Sequence, residues 1–203
     1  MSREILQIIY FSGLLFAEAL RLPQRIRRLK VRQQWRPAER STQKAEWIVV
    51  TAVILGIWVL PVIYALTPGL NAFDYQLPLW ASWTAAALFS VGLAIRLAAQ
   101  RTLDRFWSFT LETSQNHQLV TQGIFSFTRH PIYLSLIFWA VAQPGLLHNY
   151  LAGLAGSAAV LLIWLVRVPR EEMLLLEIFG DEYRIYMTRV GRLFPKAKPR
   201  LSR

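Results

Sequence analysis

The stretch WIVVTAVILGIWVLPVIYAL, Trp47–Leu66, is twenty residues long and carries no charge. About 20 apolar residues in a helix cross a hydrocarbon core about 30 Å thick. The stretch therefore reads as a spanning helix, closed by the turn residues Thr67-Pro68-Gly69. Further apolar runs lie on both sides of it: 5–22 with Glu18 inside, 77–99 interrupted by Arg96, 132–143 stopped by Pro144-Gly145, and 150–166 ending at Arg167. The fourth is short, because about 14 residues at about 1.5 Å each reach only about 21 Å. Runs four and five are expected to form a tight helical hairpin sharing the turn 143–149. The expectation is an all-α integral membrane protein with about five transmembrane helices. A C-terminal amphipathic cytoplasmic helix follows, on which Leu175, Phe179, Tyr183, Tyr186 and Val190 recur at three- and four-residue intervals.

The chain has 203 residues, enough for a single membrane domain over 1–203, with a formal net charge of +11. Placement explains that charge. Residues 21–44 carry nine Lys and Arg, residues 167–203 carry nine more, and Arg101, Arg105 and Arg129 lie between runs three and four. The loop 67–78 and the turn 143–149 carry none. By the positive-inside rule the basic segments face the cytoplasm. The N-terminus is then outside and the C-terminus cytoplasmic, in the inner membrane if the source is bacterial, with Arg3 alone on the wrong side. Nucleic acid is not an expected partner; anionic membrane lipids are. Cysteine is absent, which excludes disulfides and thiolate metal sites. His117, His130 and His148 have no tight ligand spacing, so no metal site is expected. The first run lacks a small-x-small cleavage site and does not look like a cleaved signal.

Polar residues that topology leaves unexplained fall in two places. One is HQLVTQGIFSFTRHPIY, residues 117–133. Pro131 suits a first helical turn, where its missing N–H has no partner to lose. Taken singly, Arg129 and His130 read as interfacial anchors and Gly123 as a turn residue. Together, Gly123 permits close backbone approach, Leu119-Val120 offers apolar surface, and Phe125, Phe127 and Tyr133 offer flat faces. That set suits an adenine-bearing or similarly mixed ligand. The other place is RVPREEMLLLEIFGDEYRIYMTRVGRLFP, residues 167–195. Arg167 and Glu171 share a helix face, and a salt bridge there would contribute a few tenths of a kcal/mol. Glu18 lies about a turn from Arg21, so snorkelling or pairing accounts for it.

The pattern H-x-L-V-x-x-G-I-F…R-H-P-x-Y, then R-x-x-x-E-E, then F-G-x-E-Y-x-x-Y-x-x-R-V-x-R-x-x-P resembles the isoprenylcysteine carboxyl methyltransferase family. Phospholipid N-methyltransferases are similar relatives. The resemblance covers residues 96–195, which would be the catalytic, cofactor-binding half; residues 1–95 match only in spanning the membrane and in a basic first loop. It implies S-adenosylmethionine as methyl donor, bound on the cytoplasmic side. It implies cofactor contacts at His117, Gln118, Leu119, Val120, Phe125, His130, Pro131, Ile132, Tyr133 and Glu171, with Gly123 in the same loop. A further contact is expected between Phe106 and Gln115. Arg167 and Arg96 would face the acceptor. Phe125 stands where the family commonly has tyrosine, so stacking is kept and a hydroxyl contact is lost. A carboxylate acceptor needs no general base at neutral pH, but it needs a cation to orient it. An amine acceptor would need deprotonation, with Glu171, Glu172 or a histidine as candidates. The expected function is methyl transfer by a monomer to a lipophilic acceptor, at a carboxylate. An amine methyltransferase of the phospholipid type is the second reading, and a non-catalytic protein binding anionic lipid or a partner is the third.

Overall fold

Prolines decide the path of two helices. The computed structural model describes residues 3–31, 40–106 and 119–196. Its elements are α1 (Arg3–Val31), α2 (Arg40–Val53), a π-helical segment (Ile54–Val59), α3 (Leu60–Leu66), a 3-10 turn (Pro68–Phe73), α4 (Leu79–Phe106), a second 3-10 turn (Gly123–Ser126), α5 (Pro131–Leu147) and α6 (Tyr150–Arg189). Among the described residues β-structure is confined to two isolated bridges, Asp74 with Asn149 and Thr128 with Gly191. Trp47–Leu66, Leu79–Leu103 and Tyr150–Arg189 are long and apolar enough to cross a membrane, while Pro131–Leu147 is apolar but shorter.

Pro61 has no N–H to donate to the carbonyl of Ile57, and its ring would crowd that carbonyl. The chain widens into the π segment just before it, where Leu60 N–H bonds to Leu55 O, five residues back. Two carbonyls lose their ordinary partners. Ile57 O accepts from the Tyr10 hydroxyl of α1 at 2.8 Å. Gly56 O accepts from Gln143 Nε2 of α5 at 2.9 Å, and the same nitrogen reaches Ala152 O of α6 at 2.7 Å. Pro144 repeats the solution: the carbonyl it cannot serve, Ala140 O, accepts from Ser157 Oγ at 2.7 Å. In hydrocarbon each orphaned backbone group costs several kcal/mol, so these side chains are what make the prolines tolerable.

α5 therefore does not stop at Pro144-Gly145 as the sequence suggests. It runs to Leu147, and the hairpin turn shrinks to His148 and Asn149. His148 takes the left-handed conformation (φ 52°) that ends a helix. Asn149 caps α6, accepting from Ala152 N at 3.0 Å. The span Tyr150–Arg189 is broken by a kink at the non-helical Gly180 (φ 50°, ψ −121°), which parts a long first helix from a short C-terminal one. The part before Gly180, at about 1.5 Å per residue, is about 45 Å long, more than a hydrocarbon core.

The core is built where α1, α4 and α5 meet. Tyr10, Phe89 and Trp139 form an aromatic ladder with ring centroids 5.8 and 5.3 Å apart. Gly92 admits Trp139, since a Cβ there would meet the indole Cδ1 at 2.6 Å. Gly156 likewise makes room for the Gln143 amide. Outward faces carry large apolar residues such as Ile8, Leu15, Trp80, Trp83 and Leu161. One end of the bundle gathers Arg3, Asp74, His148 and Asn149. Arg3, apparently misplaced by charge, bonds there to Asp74 Oδ2 at 3.4 Å and to Tyr64 O at 3.0 Å. A cavity of about 410 Å³ opens at that end, lined by Arg3, Tyr64, Asp74, Tyr75 and His148.

Candidate active site

The motif residues gather at the other end. Pro131 opens α5, and His130 takes the N-cap position with φ −124° and ψ 60°. The residues before it are strapped to the chain after α6: Arg129 N donates to Gly191 O at 2.9 Å, His130 N to Arg192 O at 3.1 Å, and Thr128 Oγ1 to Arg192 O at 2.8 Å. Arg129 also caps α6, its Nη1 donating to Met187 O (3.2 Å) and Val190 O (3.0 Å). Tyr186 donates its hydroxyl to Phe125 O at 2.6 Å, which fixes the 3-10 turn. Gly123 takes φ +59°, and a Cβ there would meet Thr102 Oγ1 of α4 at 2.7 Å. The loop thus sits tightly on α4, and only glycine serves at that position.

Glu172 is the electrostatic centre. Its Oε1 accepts from Arg129 Nη2 at 2.7 Å and faces His130 Nε2 at 3.2 Å. Its Oε2 accepts from Arg192 Nε at 2.9 Å and from Nη2 at 2.5 Å. The side chains of Arg129, His130 and Glu172 are 7%, 2% and 7% exposed, that of Arg192 52%. Arg129 and His130 are therefore interior groups rather than the interfacial anchors that either suggests alone. Burial holds the His130 imidazole below its usual pKa of 6.5, although Glu171 and Glu172 pull the other way. The hydrogen bonds from Arg192 to Glu172 raise the guanidinium's pKa.

Glu171, the neighbouring carboxylate, is half-buried and accepts from the Tyr133 hydroxyl. Its Oε2 is the acceptor of that phenol. The His130 and Tyr133 rings lie 5.5 Å apart. The structure thus brings His130, Tyr133 and Glu171 into one site. Leu119, Val120, Phe125 and Ile132 are half-buried and Pro131 is buried. Arg96 is 1% exposed on α4, its guanidinium 5.3 Å from the Trp139 ring centroid. Arg167 is exposed on α6. His117 and Gln118, and the contact expected between Phe106 and Gln115, lie outside the described residues.

Sequence reasoning missed the central role of Glu172 and the part played by Arg192. The signal was present in two adjacent acids beside a buried Arg-His pair, since a buried cation needs a buried anion. Chemically the site offers a carboxylate joined to a phenol, a neutral imidazole and a half-buried aromatic face. That donor set fits a ligand bearing hydroxyls and amine groups together with a flat ring, as S-adenosylmethionine does.

Fold and site define a helical membrane protein whose motif residues gather at one end of an apolar bundle. Residues 85–177 match the model of the Isoprenylcysteine carboxyl methyltransferase (ICMT) family, and the resemblance carried by the motif residues is borne out. The human protein-S-isoprenylcysteine O-methyltransferase is 31% identical over 121 residues, 59% of this chain and 43% of that protein. The Schizosaccharomyces pombe protein of that name is 30% identical over 114 residues, 55% of this chain and 48% of its own. The Arabidopsis thaliana protein-S-isoprenylcysteine O-methyltransferase A is 30% identical over 118 residues, 57% of this chain and 60% of its own. The chain spans about half the length of the curated relatives it matches.

Proposed function

We propose that the protein is an S-adenosylmethionine-dependent membrane methyltransferase that esterifies the carboxylate of a lipophilic acceptor. The observation that carries this reading is the convergence of R-H-P-I-Y and R-E-E on one site: Tyr133 bonds to Glu171 while His130 lies against Glu172, inside a segment that matches the family. The relatives' names specify an isoprenylcysteine acceptor for those proteins. Transferred to this chain, they support a carboxylate carrying a hydrocarbon tail.

In this reading S-adenosylmethionine supplies an electrophilic methyl group. The residues 117–120, Gly123, Phe125, 130–133 and Glu171 hold and orient it. Arg96 and Arg167 face the acceptor carboxylate, which a guanidinium can take bidentately. Positioning and exclusion of water, rather than proton transfer, then supply the acceleration. The chain acts as one domain over 1–203 and as a monomer, with residues 96–195 as its catalytic half. It crosses the membrane five times, N-terminus outside and C-terminus cytoplasmic, with the tail of α6 lying amphipathically at the cytoplasmic face. Reporter fusions at Gly69 and Arg203 should fall in opposite compartments.

The deciding experiment supplies purified protein in lipid nanodiscs with methyl-labelled S-adenosylmethionine and an S-prenylated N-acetylcysteine. Label released by mild base marks a methyl ester. Label on an amine would replace the ester reading. Absence of both transfer and binding of S-adenosylhomocysteine would refute the proposal.

A further inference from the structure

Glu172 makes contacts that a packing residue has no need of. Its carboxylate accepts from two guanidinium groups and an imidazole nitrogen, and these donors come from two separate parts of the chain. Arg129 and His130 precede α5, and Arg192 follows α6. We propose that Glu172 is a positioning residue of the cofactor site, clamped by Arg129 and Arg192 so that His130 keeps its proton on Nε2 and presents Nδ1 as an acceptor to a donor group of the ligand. This rests on the cofactor reading above and adds Glu172 and Arg192 to it.

The argument is geometric. An imidazole nitrogen 3.2 Å from a carboxylate oxygen must carry the proton, since two acceptors would repel. A neutral ring with Nε2–H has its lone pair on Nδ1. Without Glu172 nothing selects that tautomer. Without the two arginines a buried carboxylate would pull a second proton onto the ring and convert the acceptor into a donor. The charged and titratable groups around His130, among the described residues, are Arg129 from its own loop, Tyr133 from α5, Glu171, Glu172 and Tyr183 from α6, and Arg192 from the C-terminal segment. Burial outweighs the two carboxylates and keeps the ring neutral. Residues 190–192, beyond the end of α6, thereby become part of the site. Arg192 supplies the second cation through its side chain and holds Thr128 and His130 N–H through its carbonyl.

The test follows the ring directly. In full-length protein in detergent, nitrogen NMR reports the tautomer and titration of His130, identified by its loss in His130→Ala. Calorimetry reports S-adenosylhomocysteine affinity across the same pH range. Glu172→Gln removes the nearby negative charge and should move the His130 midpoint down. Arg192→Gln leaves Glu172 less compensated and should move it up, by roughly half a unit or more in each case. Arg192→Lys, which keeps the charge, should lie near wild type. The acid limb of S-adenosylhomocysteine affinity should follow the His130 midpoint in each protein, and Glu172→Gln should weaken affinity about tenfold at neutral pH. If Glu172→Gln does not fold, the opposing behaviour of Arg192→Gln and Arg192→Lys decides, because Arg192 is half exposed and its backbone contacts survive. Unchanged midpoints, a Nδ1–H tautomer in wild type, or midpoints that move without affinity following them would overturn the inference. Wild type with the expected ring titration and no S-adenosylhomocysteine binding would instead overturn the cofactor reading.

Discussion

Tyr133→Phe removes one oxygen from the candidate site, and its effect can be worked from the bond that oxygen makes to Glu171. The hydroxyl donates to Glu171 Oε2, and both residues are half-buried. A hydrogen bond to a charged group contributes about 1.5–3 kcal/mol when fully enclosed. Partial exposure reduces this to about 1–2 kcal/mol. If that bond aims Glu171 at the cofactor, S-adenosylhomocysteine affinity should fall about 5- to 30-fold in Tyr133→Phe. Glu171→Gln should cost at least as much, because it weakens both the phenol bond and any contact to a ligand donor. The two changes share one interaction, so the double variant should lose less than the sum. Calorimetry on detergent-solubilised protein measures the affinity, and circular dichroism melting checks that the helices remain. Wild-type affinity in a folded Tyr133→Phe would refute the role given to the hydroxyl. Strict additivity in the double variant would refute the coupling.

Gln143→Leu keeps the volume but leaves Gly56 O without its donor; a loss of about 1–3 kcal/mol is expected in detergent unfolding, with cofactor affinity unchanged. An unaltered unfolding midpoint would show that the π segment finds another partner. His130 is held below its usual pKa of 6.5 in the folded protein. Its contribution is therefore complete above about 6.5 and is lost as pH falls through that value toward the folded pKa, because the unfolded state takes up the proton first. His130→Asn should flatten the stability profile as pH falls below about 6.5, and an unchanged slope would count against burial of the neutral ring. Arg167→Lys keeps the charge but loses the fork. If Arg167 orients a carboxylate, Arg167→Lys and Arg167→Ala should lower turnover about 30- to 1000-fold with cofactor affinity intact, and full turnover in Arg167→Ala would remove it from the active site.

The helices were legible because lipid enforces a simple rule, an apolar run of sufficient length with few charges, and Trp47–Leu66, Leu79–Leu103 and the first half of α6 obey it. Boundaries were harder. Pro144 and Arg167 look like stops when each is weighed by local preference. Both lie inside helices, and for Pro144 the loss is offset across the bundle by Ser157, thirteen residues further on in another helix. A period or a propensity contains no information about that partner. The same holds for Pro61, whose consequence, the π segment, depends on Tyr10 and Gln143 to take the released carbonyls. Proline in an apolar run predicts that some polar side chain must answer it; which one is a property of the packing.

The site shows the same division. Its residue types were legible from motif and resemblance, and His130, Tyr133 and Glu171 do meet. What the sequence hid was which of two adjacent acids does what. On a helix, successive residues point about 100° apart, so Glu171 and Glu172 cannot serve the same neighbours. Glu172 turns inward to the Arg129–His130 loop and the returning Arg192, and Glu171 turns toward Tyr133. One carboxylate is consumed by fixed cations. The other accepts from the neutral Tyr133 phenol. In the proposed cofactor reading a cationic or hydroxyl-bearing ligand would therefore meet Glu171 rather than Glu172, although Glu172 is the more deeply buried of the two.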